Sequence, residues 1–313
     1  MNHVIDADTE RLLSDSLREM LNSAHDVASG LDELGWSDVA EIDSAHASRL
    51  LFTELGRAGR ASAQLDHVCT EAAGFPQAEN TALIHPLRDT PMGSGVDGVV
   101  LSPLSSGDTL LAVAAGPQAT AVRIDVDTAT PLVRPVGGFD VASGVSRLRI
   151  PAAELNAAPV EGDWGSAVSQ ARVALSWELI GNAEAMLKVA TSQIAQRQQF
   201  GRPIGSYQSP RHRMADCHTK IVAARELVMV AQQVGDSWSA LTAKAYSGMA
   251  WYVVMRGCLQ VCGAIGLTAE HPLGALVTRG AIVESLYGNW RELTVRVGSD
   301  LLAARAIPAG APL

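Results

Sequence analysis

Arg197, Gln199, Phe200 and Gln208 lie close together in the stretch QIAQRQQFGRPIGSYQSPRHRMAD, Gln193 to Asp216. A guanidinium is the side chain best shaped to hold a pair of phosphate oxygens, and a carboxamide both donates and accepts toward a nucleotide. Other candidates for chemistry are weaker. Cys69, Cys217, Cys258 and Cys262 are scattered through apolar helical contexts. Cys258 and Cys262 share a helix face, but no histidine or carboxylate is spaced to complete a metal site, so all four read as buried thiols. His212, His218 and His271 read as surface or turn residues.

The elements around the Arg197 stretch are helical. Leu175, Leu179, Ala183, Met186, Ala190 and Ile194 have the three-and-four spacing of a buried helical stripe, and Met214, Cys217, Ile221, Ala224 and Val228 repeat it. Between the two helices the sequence predicts a tight turn at Gly201-Arg202-Pro203 and an extended crossing containing Gly205 and Pro210. Residues 166–305 read as helical with few breaks, and Trp238, Trp251 and Trp290 fall on apolar registers expected in a core. Upstream, VDGVVLSPLSS, DTLLAVAAG, TAVRIDVD and SRLRIPAAEL are short β-branched runs cut by Gly, Pro, Asp and Ser, which predict a compact β domain. Residues 6–30 read as one capped helix closing on Gly30, and LLFTELGRAGRASAQLDHV as further helix, with the Ser, Thr, Glu and Arg of this region on solvated faces.

The chain has 313 residues and a formal net charge of −9. No long Lys/Arg run is present, which argues against nucleic acid or an anionic membrane as partner. Aromatics make up 4% of residues, too few for a base-stacking surface. No secretory leader and no long apolar run is legible, so a cytoplasmic protein is expected.

The motif R-x-Q-F-G-x-P-I-G-x-x-Q, followed by Ala215-Asp216, resembles the signature of the acyl-CoA dehydrogenases. Gln260-Val261-Cys262-Gly263-Ala264-Ile265-Gly266 resembles that family's Q-x-x-G-G-x-G turn. The resemblance implies a mainly α fold with a central β domain and a C-terminal four-helix bundle. Its parts would be a shortened helical domain at 1–82, a degenerate β domain at 83–158 and the bundle at 165–305. It implies FAD as cofactor, held across a subunit interface by Arg197, Gln199, Phe200, Gln208, Gln260, Gly263 and Ala264. The family's flavin-walling strand and its E-P-x-x-G-S-D loop are not legible, and PMGSGVDGVV occupies the loop's place.

The family's reaction needs a carboxylate base beside the α-carbon of an acyl-CoA thioester. Of the two places where the family carries it, one reads Tyr287 here and the other Ala171-Arg172. Glu178, Glu270 and Glu284 are the acids left to nominate, each a poor candidate. No catalytic residue and no metal ligand is therefore assigned. A chain with cross-interface contacts but no base resembles the small subunit of the heteromeric, α2β2 acyl-CoA dehydrogenases of actinobacterial steroid catabolism, in which a larger partner carries the glutamate. A self-sufficient homotetramer with a relocated base and a flavin-free scaffold are the alternatives.

Overall fold

The computed structural model describes residues 5–23, 26–75, 81–89, 95–101, 103–114, 120–129, 133–135, 145–268 and 270–305. Five helices come first: α1 (Ala7–Ser23), α2 (Val27–Glu33), α3 (Trp36–Ile42), α4 (Ser44–Ala58) and α5 (Gln64–Ala73). The single helix expected over 6–30 is two. The Asp26 carboxylate accepts from the Ser29 amide and starts α2, which then runs through Gly30 instead of ending there.

Seven strands and one helical turn follow: β1 (Thr81–Leu83), β2 (Gly95–Val100), β3 (Thr109–Ala114), β4 (Thr120–Asp125), α6 (Val126–Ala129), β5 (Val133–Pro135), β6 (Ser146–Pro151) and β7 (Ala158–Pro159). They form two sheets, ordered β1-β3-β4-β7 and β2-β6-β5. In β6 the alternation is strict: Leu148 and Ile150 point inward while Arg147 and Arg149 face out. They meet Val96, Val100, Leu110, Val122 and Ile124 in a core of their own.

The remainder is a helical bundle. α7 (Trp164–Gln196) leads through the two-residue strands β8 (Gln198–Gln199) and β9 (Arg202–Pro203) to α8 (Gln208–Val234), then α9 (Ser237–Cys262), α10 (Pro272–Ser285) and α11 (Trp290–Ala304). Every residue of the two predicted stripes is buried. The link differs from expectation in one respect. Pro210 lies in the first turn of α8, where a missing N–H costs nothing, and the extended segment is only the β8–β9 hairpin.

α7 is the central strut. α4 crosses it where Gly56 and Gly181 carry no side chain: a Cβ on Gly56 would sit 2.0 Å from the Glu178 carbonyl oxygen, and one on Gly181 the same distance from that of Thr53. The polar residues of α4 are not solvated as expected. Glu54 is 1% exposed and accepts from Ser14, Arg18 and Arg57, while Glu184 of α7 takes Arg57 and Arg225. These ion pairs tie α1 and α4 to α7 and α8.

α9 with the turn after it, Ser237–Leu267, is the one stretch among the described residues long and apolar enough to cross a membrane by length and composition, where no long apolar run is expected from the sequence. It is packed against α7, α8 and α11, yet only 39% of its most apolar window is buried within the chain.

Candidate functional site

Two places carry the site residues expected from sequence, one on the surface and one in the interior. On the surface, Arg197 ends α7 and its Nη1 donates to the Cys262 carbonyl at 3.2 Å. That bond brings the two motifs together. Gly263 has φ 69° and ψ −154°, a backbone conformation open essentially to glycine alone, and a Cβ there would lie 3.9 Å from Arg197 Nη1. Gln199, Phe200, Gln208, Gln260 and Ala264 are all exposed. Phe200 stands 92% exposed at φ 54°, with Leu267 at 74% and Ile265 at 46% beside the second motif. Tyr207 braces the hairpin: its hydroxyl donates to the Gln199 carbonyl at 3.3 Å and its ring carries the Arg202 guanidinium at 4.0 Å. A guanidinium beside a glycine turn can hold phosphate oxygens.

The interior place is different. Tyr287, at the position where the base is expected, is 1% exposed and has φ 57°, which turns its side chain back into the protein. Its hydroxyl lies 2.9 Å from His85 Nδ1 and 3.3 Å from Cys69 Sγ, and His85 Nε2 lies 2.6 Å from Asp66 Oδ1. With Tyr287 donating to His85 Nδ1, His85 Nε2–H donates to Asp66, whose other oxygen accepts from the Leu83 amide, and the Cys69 thiol lies within reach of both the Tyr287 hydroxyl and the Ala167 carbonyl at 3.9 Å. Asp66 and Cys69 come from α5, His85 from the segment after β1, and Tyr287 from the turn after α10. Burial, then the neighbouring Cys69, pushes the Tyr287 phenol well above its usual 10. It keeps its proton and accepts none.

Arg172 occupies the neighbourhood of the second base position. It donates to the Tyr287 carbonyl and pairs with Asp89 in the interior. The remaining cavity, about 170 Å³ and lined by Ile84, Val96, Trp164, Arg172 and Tyr287 among others, is below the roughly 300 Å³ at which pockets for drug-sized ligands begin. The PMGSGVDGVV segment belongs to the same region, and its residues 91–94 lie outside the described residues.

The three nominated acids have structural duties or none. Glu178 is 2% exposed and holds Arg279 at 2.7 Å; burial raises its pKa. Glu284 accepts from the Trp290 amide at 2.6 Å at the start of α11, and Glu270 is exposed. Sequence reasoning missed His85 and Asp66 altogether, and read Cys69 only as the buried thiol that it is. The one clue was a histidine, His85, at the edge of a β-branched run.

The buried groups set a pH signature. Cys69 is pushed up to about 12 from 9.0 by burial, so between those values the folded chain holds a proton that the unfolded chain has lost. Its stabilising effect is complete below pH 9 and falls away above it, at up to about 1.4 kcal/mol per pH unit. Lys244, whose ammonium donates to the Glu284 and Gly288 carbonyls, is brought down to about 8 by burial and acts with the opposite sign from pH 8 to 10.5. From pH 9 the Lys244 effect offsets that of Cys69, so stability should decline steeply only above about pH 10, where Tyr287 adds to Cys69. Urea titrations at pH 8 to 11 should show a shallower decline for Cys69→Ala; an unchanged slope would mean the thiol is solvated.

Among the described residues, a helical start, a two-sheet middle and a long antiparallel bundle are the parts of the acyl-CoA dehydrogenase fold. The profile of the acyl-CoA dehydrogenase C-terminal domain matches residues 165–289. Over 272 residues the chain is 30% identical to the acyl-CoA dehydrogenase IpdE2 of Mycobacterium tuberculosis, covering 86% of this chain and 81% of that one. The chain belongs to the acyl-CoA dehydrogenase family. Among solved structures it is similar to the Tcur3481-Tcur3483 steroid ACAD G363A variant, with a TM-score of 0.71 and 19% identity over 95% of this chain and 98% of that one. It is also similar to the ChsE4-ChsE5 complex from Mycobacterium tuberculosis, with a TM-score of 0.66 and 19% identity over 98% and 91%.

Proposed function

We propose that this chain is the base-lacking small subunit of a heteromeric, FAD-dependent acyl-CoA dehydrogenase, assembled as α2β2 with a larger partner that carries the catalytic glutamate. The observation that carries the reading is an asymmetry. Arg197 and Gly263 stand together on an open face, whereas Tyr287 and Arg172 fill the interior position where a base and a ring would have to sit. When bound, FAD accepts the hydride from the β-carbon of the thioester. In this chain Arg197 would hold the diphosphate. Gln199, Gln208 and Gln260 would supply amide contacts, Phe200 an apolar one, and Gly263 with Ala264 a close backbone approach.

The proton leaving the α-carbon goes to the partner, because Tyr287 is already protonated and Glu178, Glu270 and Glu284 are engaged or remote. The same engagement weighs against a homotetramer with a relocated base. The names of the solved relatives support a steroid-derived acyl-CoA as the substrate class, and four free, buried thiols suit the reducing cytoplasm. Replacing Arg197 by alanine in the two-chain assembly should weaken FAD by about 10- to 150-fold, the worth of a charge-assisted hydrogen bond of about 1.5–3 kcal/mol. Flavin titration of the apo-assembly measures it, and an unchanged dissociation constant removes Arg197 from the site.

A further inference from the structure

Tyr252, Trp290, Arg256 and Arg291 form a cluster that the cofactor contacts leave unused. Trp290 is half-buried, contrary to the core position expected from its register, and its ring centroid lies 5.8 Å from that of Tyr252. The Arg291 guanidinium stands 4.4 Å from the Trp290 ring centroid and 5.1 Å from that of Tyr252, while Arg256 approaches Tyr252 at 6.0 Å. Both arginines are exposed, and among the described residues neither forms an ion pair with a carboxylate. The acids nearest in sequence are occupied: Glu284 accepts from the Trp290 amide and Glu292 from that of Asp89. Both guanidiniums thus sit beside the Tyr252 side chain, on a chain of net charge −9, with no carboxylate paired to them among the described residues.

The cluster is also continuous with other uncovered surface. Along α9, Tyr252, Arg256 and Gln260 follow one another at four-residue intervals toward Gly263. Along α11, Arg291, Val295 and Leu302 share one face, and the two apolar residues are 70% and 81% exposed. Aromatic and arginine anchors beside exposed aliphatic residues are what a protein interface presents before it is covered.

We propose that this α9–α11 face docks a carboxylate-bearing helical surface of the larger dehydrogenase chain, with Arg256 and Arg291 as its charged anchors. The inference rests on the two-chain reading above and adds the surface by which the chains recognise each other.

The test co-expresses the tagged chain with the larger dehydrogenase-type chain of its own source organism and measures affinity and flavin content. Arg256→Glu with Arg291→Glu should weaken association at least tenfold. The milder pair Arg256→Gln and Arg291→Gln, whose fold is checked by circular dichroism, should flatten the loss of affinity with rising salt, because fewer interfacial charges remain to be screened. Association unchanged in both pairs would overturn this inference and leave the two-chain reading standing. An intact assembly that loses its flavin would overturn it too, by giving the arginines to the cofactor. Failure of the wild-type chains to associate would end both.

Discussion

Tyr287→Ala should destabilise the chain by about 3–5 kcal/mol, the usual cost of emptying a buried aromatic site. The ring is 1% exposed, packs edge-on to His85 at 5.7 Å and lies 6.2 Å from Trp164. Removing it would merge the vacated volume with the cavity of about 170 Å³ next to it, so collapse would be incomplete. It would also leave His85 Nδ1 and the Cys69 thiol without the hydroxyl that joins them. Tyr287→Phe separates the two contributions. It keeps the ring and strips the hydrogen bonds, for an expected cost of about 1–3 kcal/mol. Urea denaturation of the assembled protein measures both. Turnover gives an independent reading, since Tyr287→Phe should leave it within a few-fold of wild type if the proton acceptor belongs to the partner. A drop of a hundredfold would make Tyr287 a participant in the chemistry.

The second large effect lies at the α4–α7 crossing. Gly181→Ala should cost about 3 kcal/mol or more, although Gly→Ala inside a helix normally gains up to about 1 kcal/mol. The overlap decides the sign. The new methyl would sit 2.0 Å from the Thr53 carbonyl oxygen, a backbone atom that cannot turn aside, so the helices must separate. Gly56→Ala meets the Glu178 carbonyl in the same way, and the double variant should cost less than the sum, because the first methyl already opens the crossing. Gly298→Ala on α11 is the control. Nothing lies within 4 Å of its Cβ position, and a gain of about 0.5–1 kcal/mol is expected. A neutral Gly181→Ala would show that α4 is held to α7 loosely, through its ion pairs.

The bundle was legible because its helices bury periodic stripes. Leu175 to Ile194 and Met214 to Val228 repeat on one face, and local sequence is enough to see that. The two surface motifs are each contiguous in sequence, and the fold brings Arg197 beside Cys262 and Gly263. The interior cluster was not legible. Asp66, His85 and Tyr287 come from a helix, a strand edge and a turn separated by long stretches of chain, and no spacing rule links them. Glu54 was misjudged for a similar reason. A glutamate on an amphipathic helix looks solvated until Arg18 and Arg57 are seen to neutralise it in the interior. Trp290 erred the other way, because an apolar register alone does not place a ring in the core. Pro210, expected in an extended crossing, lies in α8 because the first turn of a helix accepts proline.

The most direct measurement is the flavin-to-protein ratio of this chain, purified alone and then with its larger partner. The account predicts a colourless or insoluble chain by itself and a yellow assembly with about one FAD per pair of chains, the ring lodged in the partner. A flavin bound stoichiometrically by the isolated chain, with turnover of an acyl-CoA thioester, would contradict it.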